Sequence, residues 1–268
     1  MMIRFLALDL DGTLTNSEKR ITPRTRQALM QAQERGVCLI LCSGRPLQGQ
    51  QFLADELQLQ QHGGYIIAYN GASIVECATG REIDHITLPQ PLLREIVQSA
   101  IDNHFDILTY QGDSILTNNA QSPYAQYSAR NNHMTLCEKP DLVAALTTHV
   151  PKFIILGQPE RLAAFEPIMK QHYAGRLSIM RSEPFFLEMM PLGVDKGESL
   201  ARLMHLLGAS REELMAFGDG FNDCGMLHYA GIGVAMANAQ QAAKDVADFV
   251  TLSNDEDGVV HALQHFHV

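Results

Sequence analysis

A chain of 268 residues that is 46% hydrophobic and 19% charged can bury a large core and is not a disordered polymer. Its net charge of −10, with no run of Lys or Arg, argues against nucleic acid or an anionic membrane as the main partner. Five cysteines (Cys38, Cys42, Cys77, Cys137 and Cys224), odd in number and without a CxxC spacing, indicate neither a disulfide framework nor a zinc site. A reducing cytoplasm is the expected location, since neither a signal-peptide pattern nor an apolar segment of membrane-spanning length is present.

The run Ile3-Arg4-Phe5-Leu6-Ala7 lacks helical periodicity and predicts a strand buried on both faces of a parallel sheet. It leads into Leu8-Asp9-Leu10-Asp11-Gly12-Thr13, which places two carboxylates where a strand ends and Gly12 where the chain turns. Ligands of open α/β sheets bind at the carboxyl ends of strands. Two close aspartates repel, so they call for a cation or a split into ionised and protonated roles. An ordinary Asp-Gly turn is the alternative reading of the same residues.

Thr22-Pro23 predicts a capped helix that carries Ala28, Leu29, Ala32 and Gln33 and stops at Gly36. Val37–Cys42 is a second apolar strand, ending in Ser43-Gly44-Arg45, and Pro46 opens a helix to about Leu57. Tyr65–Tyr69 is a third strand, ending in Asn70-Gly71-Ala72, with a small hairpin at Ile74–Val75 and Glu82–Ile83. Strand and helix alternating through short connections predict a right-handed parallel sheet.

From residue 84 the rhythm changes. A helix at Pro89–His104 precedes strands at Phe105–Tyr110 and Ser114–Thr117, then helices near Ala120–Ala129 and Asp141–His149. A strand at Lys152–Leu156, a helix at Pro159–His172 and a strand pair at Leu177–Met180 and Phe185–Met189 complete this stretch. Paired strands with intervening helices predict an α+β unit with an antiparallel sheet over residues 84–190, inserted into a core of residues 1–83 and 191–268. Within the last strand Phe185, Phe186, Leu187 and Met189 read as core, and the lone carboxylate of Glu188 faces either an active site or water.

The parallel rhythm resumes at Gly193-Val194-Asp195-Lys196-Gly197, ahead of a helix ending at Gly208 and a Ser210/Glu213 capping box. Leu214–Phe217 is a strand ending in Gly218-Asp219-Gly220-Phe221-Asn222-Asp223. Ile232–Ala235 is another, followed by a helix capped by Asn238. Phe249–Thr251 and a helix from about Asp257 close the chain.

Asp9/Asp11, Ser43-Gly44, Lys196 and Asp219/Asn222/Asp223 thus fall at strand ends or helix starts and converge if the two core segments share one sheet. Hard oxygen ligands such as Asp9 and Asp219 suit Mg²⁺, while Lys196, Ser43 and the Gly44 amide supply charge and donors for a phosphoryl group. In that division of labour Asp9 attacks phosphorus and Asp11 moves the protons. Taken singly, Ser43-Gly44 reads equally as a turn, Lys196 as a surface charge, Asp219 and Asp223 as helix-start acids, and Asn70-Gly71 as a turn pair.

With these motifs in place, the chain resembles phosphatases of the haloacid dehalogenase (HAD) superfamily, in particular the Cof-type group with a large α/β cap (class IIB-like) between the second and third motifs. Asp9-Leu10-Asp11-Gly12-Thr13 matches the first motif, Cys42-Ser43-Gly44-Arg45-Pro46 the second, Lys196-Gly197 the third and Gly218–Asp223 the fourth. The resemblance implies a Rossmann-like core and a cap that chooses the substrate. It makes Asp9 the nucleophile and Asp11 the acid/base, with metal at Asp9, the Asp11 carbonyl and Asp219, supported by Asp223. Leu10, Ser43, Gly44, Lys196 and Asn222 would bind phosphate, and Arg45, Asn70, Gly71 and Glu188 would select the substrate. The expected activity is Mg²⁺-dependent hydrolysis of small phosphorylated metabolites, such as sugar phosphates or phosphorylated cofactors and their precursors. A phosphomutase of the same fold and a phospho-aspartate switch without turnover are the alternatives.

Overall fold

Apolar runs too short and too uniform for an amphipathic helix become the strands of two sheets. The computed structural model describes residues 2–268 and divides them into two units. One runs to Asp84 and resumes over Asp195–Val268; the other is His85–Val194. The first unit begins with β1 (Phe5–Leu8), buried throughout, then α1 (Pro23–Glu34) and β2 (Cys38–Cys42). The Thr22 hydroxyl accepts the Thr25 N–H at 3.1 Å and Pro23 sits in the first turn, so α1 starts where the cap and the proline require. Next come α2 (Gln48–Glu56), α3 (Leu59–His62), β3 (Tyr65–Ala68), β4 (Ser73–Glu76) and β5 (Arg81–His85).

The inserted unit follows as α4 (Gln90–Asp102), β6 (Asp106–Gln111), β7 (Ser114–Thr117), α5 (Pro123–Asn132) and β8 (Thr135–Glu138). It continues with β9 (Phe153–Leu156), α6 (Pro159–His172), β10 (Leu177–Glu183) and β11 (Phe186–Pro191). Its six strands lie in the order β10-β11-β9-β6-β7-β8. The sheet is antiparallel except that β7 and β8 run parallel, a departure from the all-antiparallel expectation. One face packs Ile107, Phe153, Ile155, Leu187 and Met189 against Leu93 and Ile96 of α4 and Leu162 and Phe165 of α6.

Two helix expectations in this unit change. Residues 141–149 form turns rather than a helix. The Asp141 carboxylate accepts the Ala144 N–H at 3.0 Å, so the backbone is satisfied locally, and the β-branched Thr147 and Thr148 do not extend it. The helix expected near Ala120–Ala129 starts at Pro123, whose ring favours the first helical turn.

The chain returns to the first unit through α7 (Lys196–Leu206), β12 (Leu214–Gly218), α8 (Cys224–Tyr229), β13 (Ile232–Ala235), α9 (Gln241–Val246), β14 (Phe249–Val250) and α10 (Gly258–Phe266). Asn238 does not cap α9. Its amide instead donates to the Gly12 carbonyl at 2.8 Å and its oxygen accepts the Asn254 N–H at 3.0 Å. The eight strands lie in the order β14-β13-β12-β1-β2-β3-β4-β5. β1 pairs in parallel with both β12 and β2, Leu8 standing opposite Phe217 and Leu41. The carboxyl ends of β1, β2 and β12 are therefore neighbours, although their residues come from opposite ends of the sequence.

Candidate active site

Because β1 and β12 run side by side, Asp9 and Asp219 leave adjacent strand ends. Their carboxylates, with that of Asp223, offer oxygens within 4.8 Å of one another. Lys196, in the first turn of α7, is 0% exposed and places Nζ 2.6 Å from Asp9 Oδ1 and 2.6 Å from Asp223 Oδ1. Asp195 fixes the lysine's position by capping the helix, accepting the Gly197 and Glu198 N–H groups at 2.7 and 3.1 Å. Asp223 in turn accepts the Asp219 and Gly220 N–H groups at 2.9 and 2.8 Å, which ties the loop after β12 to the lysine. Thr13 Oγ1 donates to Asp219 Oδ1 at 2.9 Å. Gly12 adopts φ +87°, and a Cβ there would lie 2.5 Å from Asp219 Oδ2, so the close approach demands glycine.

Three carboxylates face one ammonium, which leaves an excess of two negative charges in a buried place. Burial and then the Asp223 charge push Asp9 well above the ordinary carboxylate range, and Lys196 only partly opposes them. Burial and Asp223 likewise raise Asp219, against the Thr13 hydrogen bond. Burial would lower Lys196, but Asp223 and Asp9 outweigh it and hold the ammonium above its usual value. Hard oxygen donors carrying surplus charge are what a divalent cation such as Mg²⁺ requires, so the donor set fits a metal held by Asp9 and Asp219 with Asp223 beside them.

Asp11 points elsewhere. Arg45 grips it as a fork, Nε to Oδ2 and Nη2 to Oδ1, both at 2.7 Å, and Lys19 Nζ adds a third contact to Oδ1 at 2.7 Å. Burial alone would raise this carboxyl, but the Arg45 bonds and charge, then those of Lys19, hold it below the usual range. Asp11 could join a metal only through its backbone carbonyl. Leu10, with its carbonyl accepting from Thr15 at 2.9 and 2.8 Å and its side chain in the core, retains only its N–H for a ligand.

At the end of β2 the Ser43 hydroxyl accepts the Arg45 N–H at 3.1 Å, and the Ser43 carbonyl accepts the Asn70 N–H at 2.9 Å. Asn70 is buried at φ +58°, and its Oδ1 accepts from Asn222 Nδ2 at 3.1 Å. A Cβ on Gly44 would come within 3.0 Å of that same oxygen. Ser43, Gly44, Asn70 and Asn222 thus meet in one place. Gly71 is buried, and its carbonyl accepts from Arg202 Nη2 at 2.9 Å, a packing role. In the inserted unit Glu188 is 3% exposed and bonded to Lys152, so the water-facing reading of Glu188 is overturned.

The arrangement of acids and lysine has close counterparts. The sequence profile of haloacid dehalogenase-like hydrolases matches residues 6–263. The chain belongs to this family. A haloacid dehalogenase-like hydrolase of Bacteroides thetaiotaomicron shares 42% identity and superposes with a TM-score of 0.95 over 98% of this chain and 99% of its own. Among curated relatives, the 5-amino-6-(5-phospho-D-ribitylamino)uracil phosphatase YcsE of Bacillus subtilis is 31% identical over 98% of this chain and 96% of its own length. The HMP-PP phosphatase of Serratia proteamaculans is 29% identical over 99% and 96%. This member of the family is a phosphatase, a phosphoric monoester hydrolase, with a HAD-type parallel-sheet fold.

Thr13, Lys19 and Lys152 were not singled out by the sequence reading, although each bonds a residue that was. Thr13 lies inside the first motif and was within reach. Lys19 reaches Asp11 from a left-handed turn held by the Asn16 side chain, and no spacing rule signals that contact.

Proposed function

We propose that this phosphatase, working in the cytoplasm, removes phosphate from small phosphorylated metabolites through a phosphoenzyme formed on Asp9. The observation that carries this reading is the Asp9 carboxylate at a strand end, 2.6 Å from a fully buried lysine and grouped with Asp219 and Asp223. An Asp9 oxygen attacks phosphorus and the bond from phosphorus to the leaving oxygen breaks. Asp11, as the acid, protonates that leaving oxygen, then as the carboxylate takes a proton from the water that attacks the phosphoenzyme. The Asp9–phosphorus ester bond breaks in that second step and phosphate departs. Lys196 offsets the charge on the transferring group, while Ser43, the Leu10 and Gly44 N–H groups and Asn222 hold its oxygens. Mg²⁺, held by Asp9, Asp219 and the Asp11 carbonyl with Asp223 in support, supplies further charge neutralisation.

Both oxygens of Asp11 are engaged by Arg45 and Lys19, so proton donation requires one contact to open. Lys19, with its side chain 61% exposed, is the looser partner. Arg45, only 17% exposed, then serves to aim Asp11 as well as to meet the substrate. Relatives named for a phosphoribitylamino-uracil and for HMP-PP support a metabolite-sized substrate. We assign selection among such substrates to the inserted unit, with Glu188, and to Asn70 beside the phosphate-binding residues.

The test is phosphate release from a panel of phosphorylated metabolites, with and without Mg²⁺. Turnover should vanish after chelation and return with Mg²⁺. Metal-independent hydrolysis, or strict dependence on an added sugar bisphosphate, would overturn the reading.

A further inference from the structure

Glu188 and Lys152 stand on the sheet of the inserted unit, on the face opposite the α4/α6 core. Side chains alternate across a strand, and their neighbours Leu187, Met189 and Phe153 all belong to that core. Lys152 Nζ lies 2.9 Å from Glu188 Oε1, with the two residues 2% and 3% exposed. Tyr110 shares this face, its ring centroid 5.9 Å from the lysine nitrogen. Helix α5 lies against it too, with Ser128 Oγ 3.5 Å from the Tyr110 hydroxyl and the Tyr127 ring 6.0 Å from that of Phe186.

The second carboxylate oxygen, Glu188 Oε2, is buried and has no hydrogen-bond partner among the protein's own groups. An ionised carboxylate offers about four acceptor sites, and a buried acceptor left unmade is costly. The fold gains little from the arrangement, since a buried ion pair is commonly replaceable by apolar side chains at no loss of stability. The pair instead has the makings of a recognition element: Lys152 holds Glu188 ionised and oriented, and one oxygen stays open for an external donor.

We propose that Glu188 Oε2 accepts a hydrogen bond from a hydroxyl of the substrate's leaving group, with Lys152 as its positioning residue, so that the preferred substrates are phosphate esters of polyols or sugars. This rests on the phosphatase reading above and deepens it. A hydroxyl satisfies the acceptor without adding charge, whereas an anionic leaving group would be repelled by the carboxylate.

The experiment compares kcat/KM for sorbitol 6-phosphate and n-hexyl phosphate, which present chains of equal length with and without hydroxyls, in wild type, Glu188→Gln and the double variant Lys152→Met/Glu188→Leu. The wild type should prefer the polyol ester. The double variant should lose roughly 10- to 100-fold on it and little on the hexyl ester, with the midpoint of thermal unfolding preserved. Glu188→Gln keeps an acceptor but not the charge and should lose less. If the double variant does not fold, Glu188→Gln decides by the same ratio. No wild-type preference for the polyol ester, or equal losses on the two esters in a folded variant, would overturn the inference and leave the phosphatase reading intact. Failure of the wild type to hydrolyse either ester or any member of the metabolite panel would strike the phosphatase reading itself.

Discussion

Lys196 and Lys152 are both almost wholly buried, and each donates to a carboxylate at hydrogen-bond distance, yet their surroundings differ in one respect that decides what each can do. Lys196 faces Asp9 and Asp223 with Asp219 alongside, so its cluster keeps a net negative charge in a low-dielectric place. Lys152 faces Glu188 alone, and that pair is neutral. An excess of buried carboxylates persists only if a cation joins it or protons do, and both are the raw material of phosphoryl transfer. A balanced pair needs no third charge. What it leaves open is an acceptor, which suits recognition rather than reaction.

The largest effect that separates the two clusters is on turnover. Asp9→Asn should reduce kcat by about 10⁴-fold or more on every substrate, the scale of losing a nucleophile, with folding unaffected. Glu188→Leu paired with Lys152→Met should leave the n-hexyl ester rate within a few-fold of wild type. Next in size is Asp11→Asn, for which steady-state rates should fall roughly 10²–10⁴-fold on alkyl phosphates. The native rate in that variant would remove Asp11 from the proton transfers.

Stability gives the third contrast. Lys196→Met and Lys152→Met each strand buried negative charge and should each cost about 3–5 kcal/mol in urea unfolding. Added Mg²⁺ should recover part of the loss only for Lys196→Met, because only that site has carboxylates to spare. Equal recovery in both would erase the distinction drawn between the clusters.

The smallest effect belongs to a screened ion pair. Glu166 lies 2.7 Å from Lys170 and 2.7 Å from Arg181. The Lys170 bond, then that of Arg181, hold its carboxyl below the usual range against the effect of burial. A depressed folded-state pKa contributes stability above the unfolded value, near roughly pH 4.3, which is lost as pH falls through the folded value. Glu166→Gln should therefore lower the unfolding midpoint at pH 7 by at most about 1 kcal/mol equivalent and have no effect near roughly pH 3.

The two lysines also differ in how far the sequence discloses them. Lys196 follows a Gly-Val-Asp turn and opens a helix, so its neighbours in the chain announce its position, and Asp9 and Asp219 stand at the ends of apolar runs that can only be strands. The parallel sheet was legible for the same reason. Lys152 sits at the edge of one short strand, and its partner is 36 residues away on another. Only the pairing of β9 with β11 brings them together, and no local period encodes that register. Lys19 is hidden similarly, since its reach to Asp11 depends on a left-handed turn. The turns at 141–149 were misread because their apolar residues have helical spacing, while Asp141 bonds its own backbone in competition with the helix.

The central claim, that the Lys196 cluster carries the chemistry, is tested most directly by rapid-quench mass spectrometry of the enzyme turning over its best phosphate ester with Mg²⁺. A phosphoryl adduct should appear in the peptide containing Asp9, accumulate in Asp11→Asn and be absent in Asp9→Asn. An adduct mapped to any other residue, or sustained turnover by Asp9→Asn, would contradict the account.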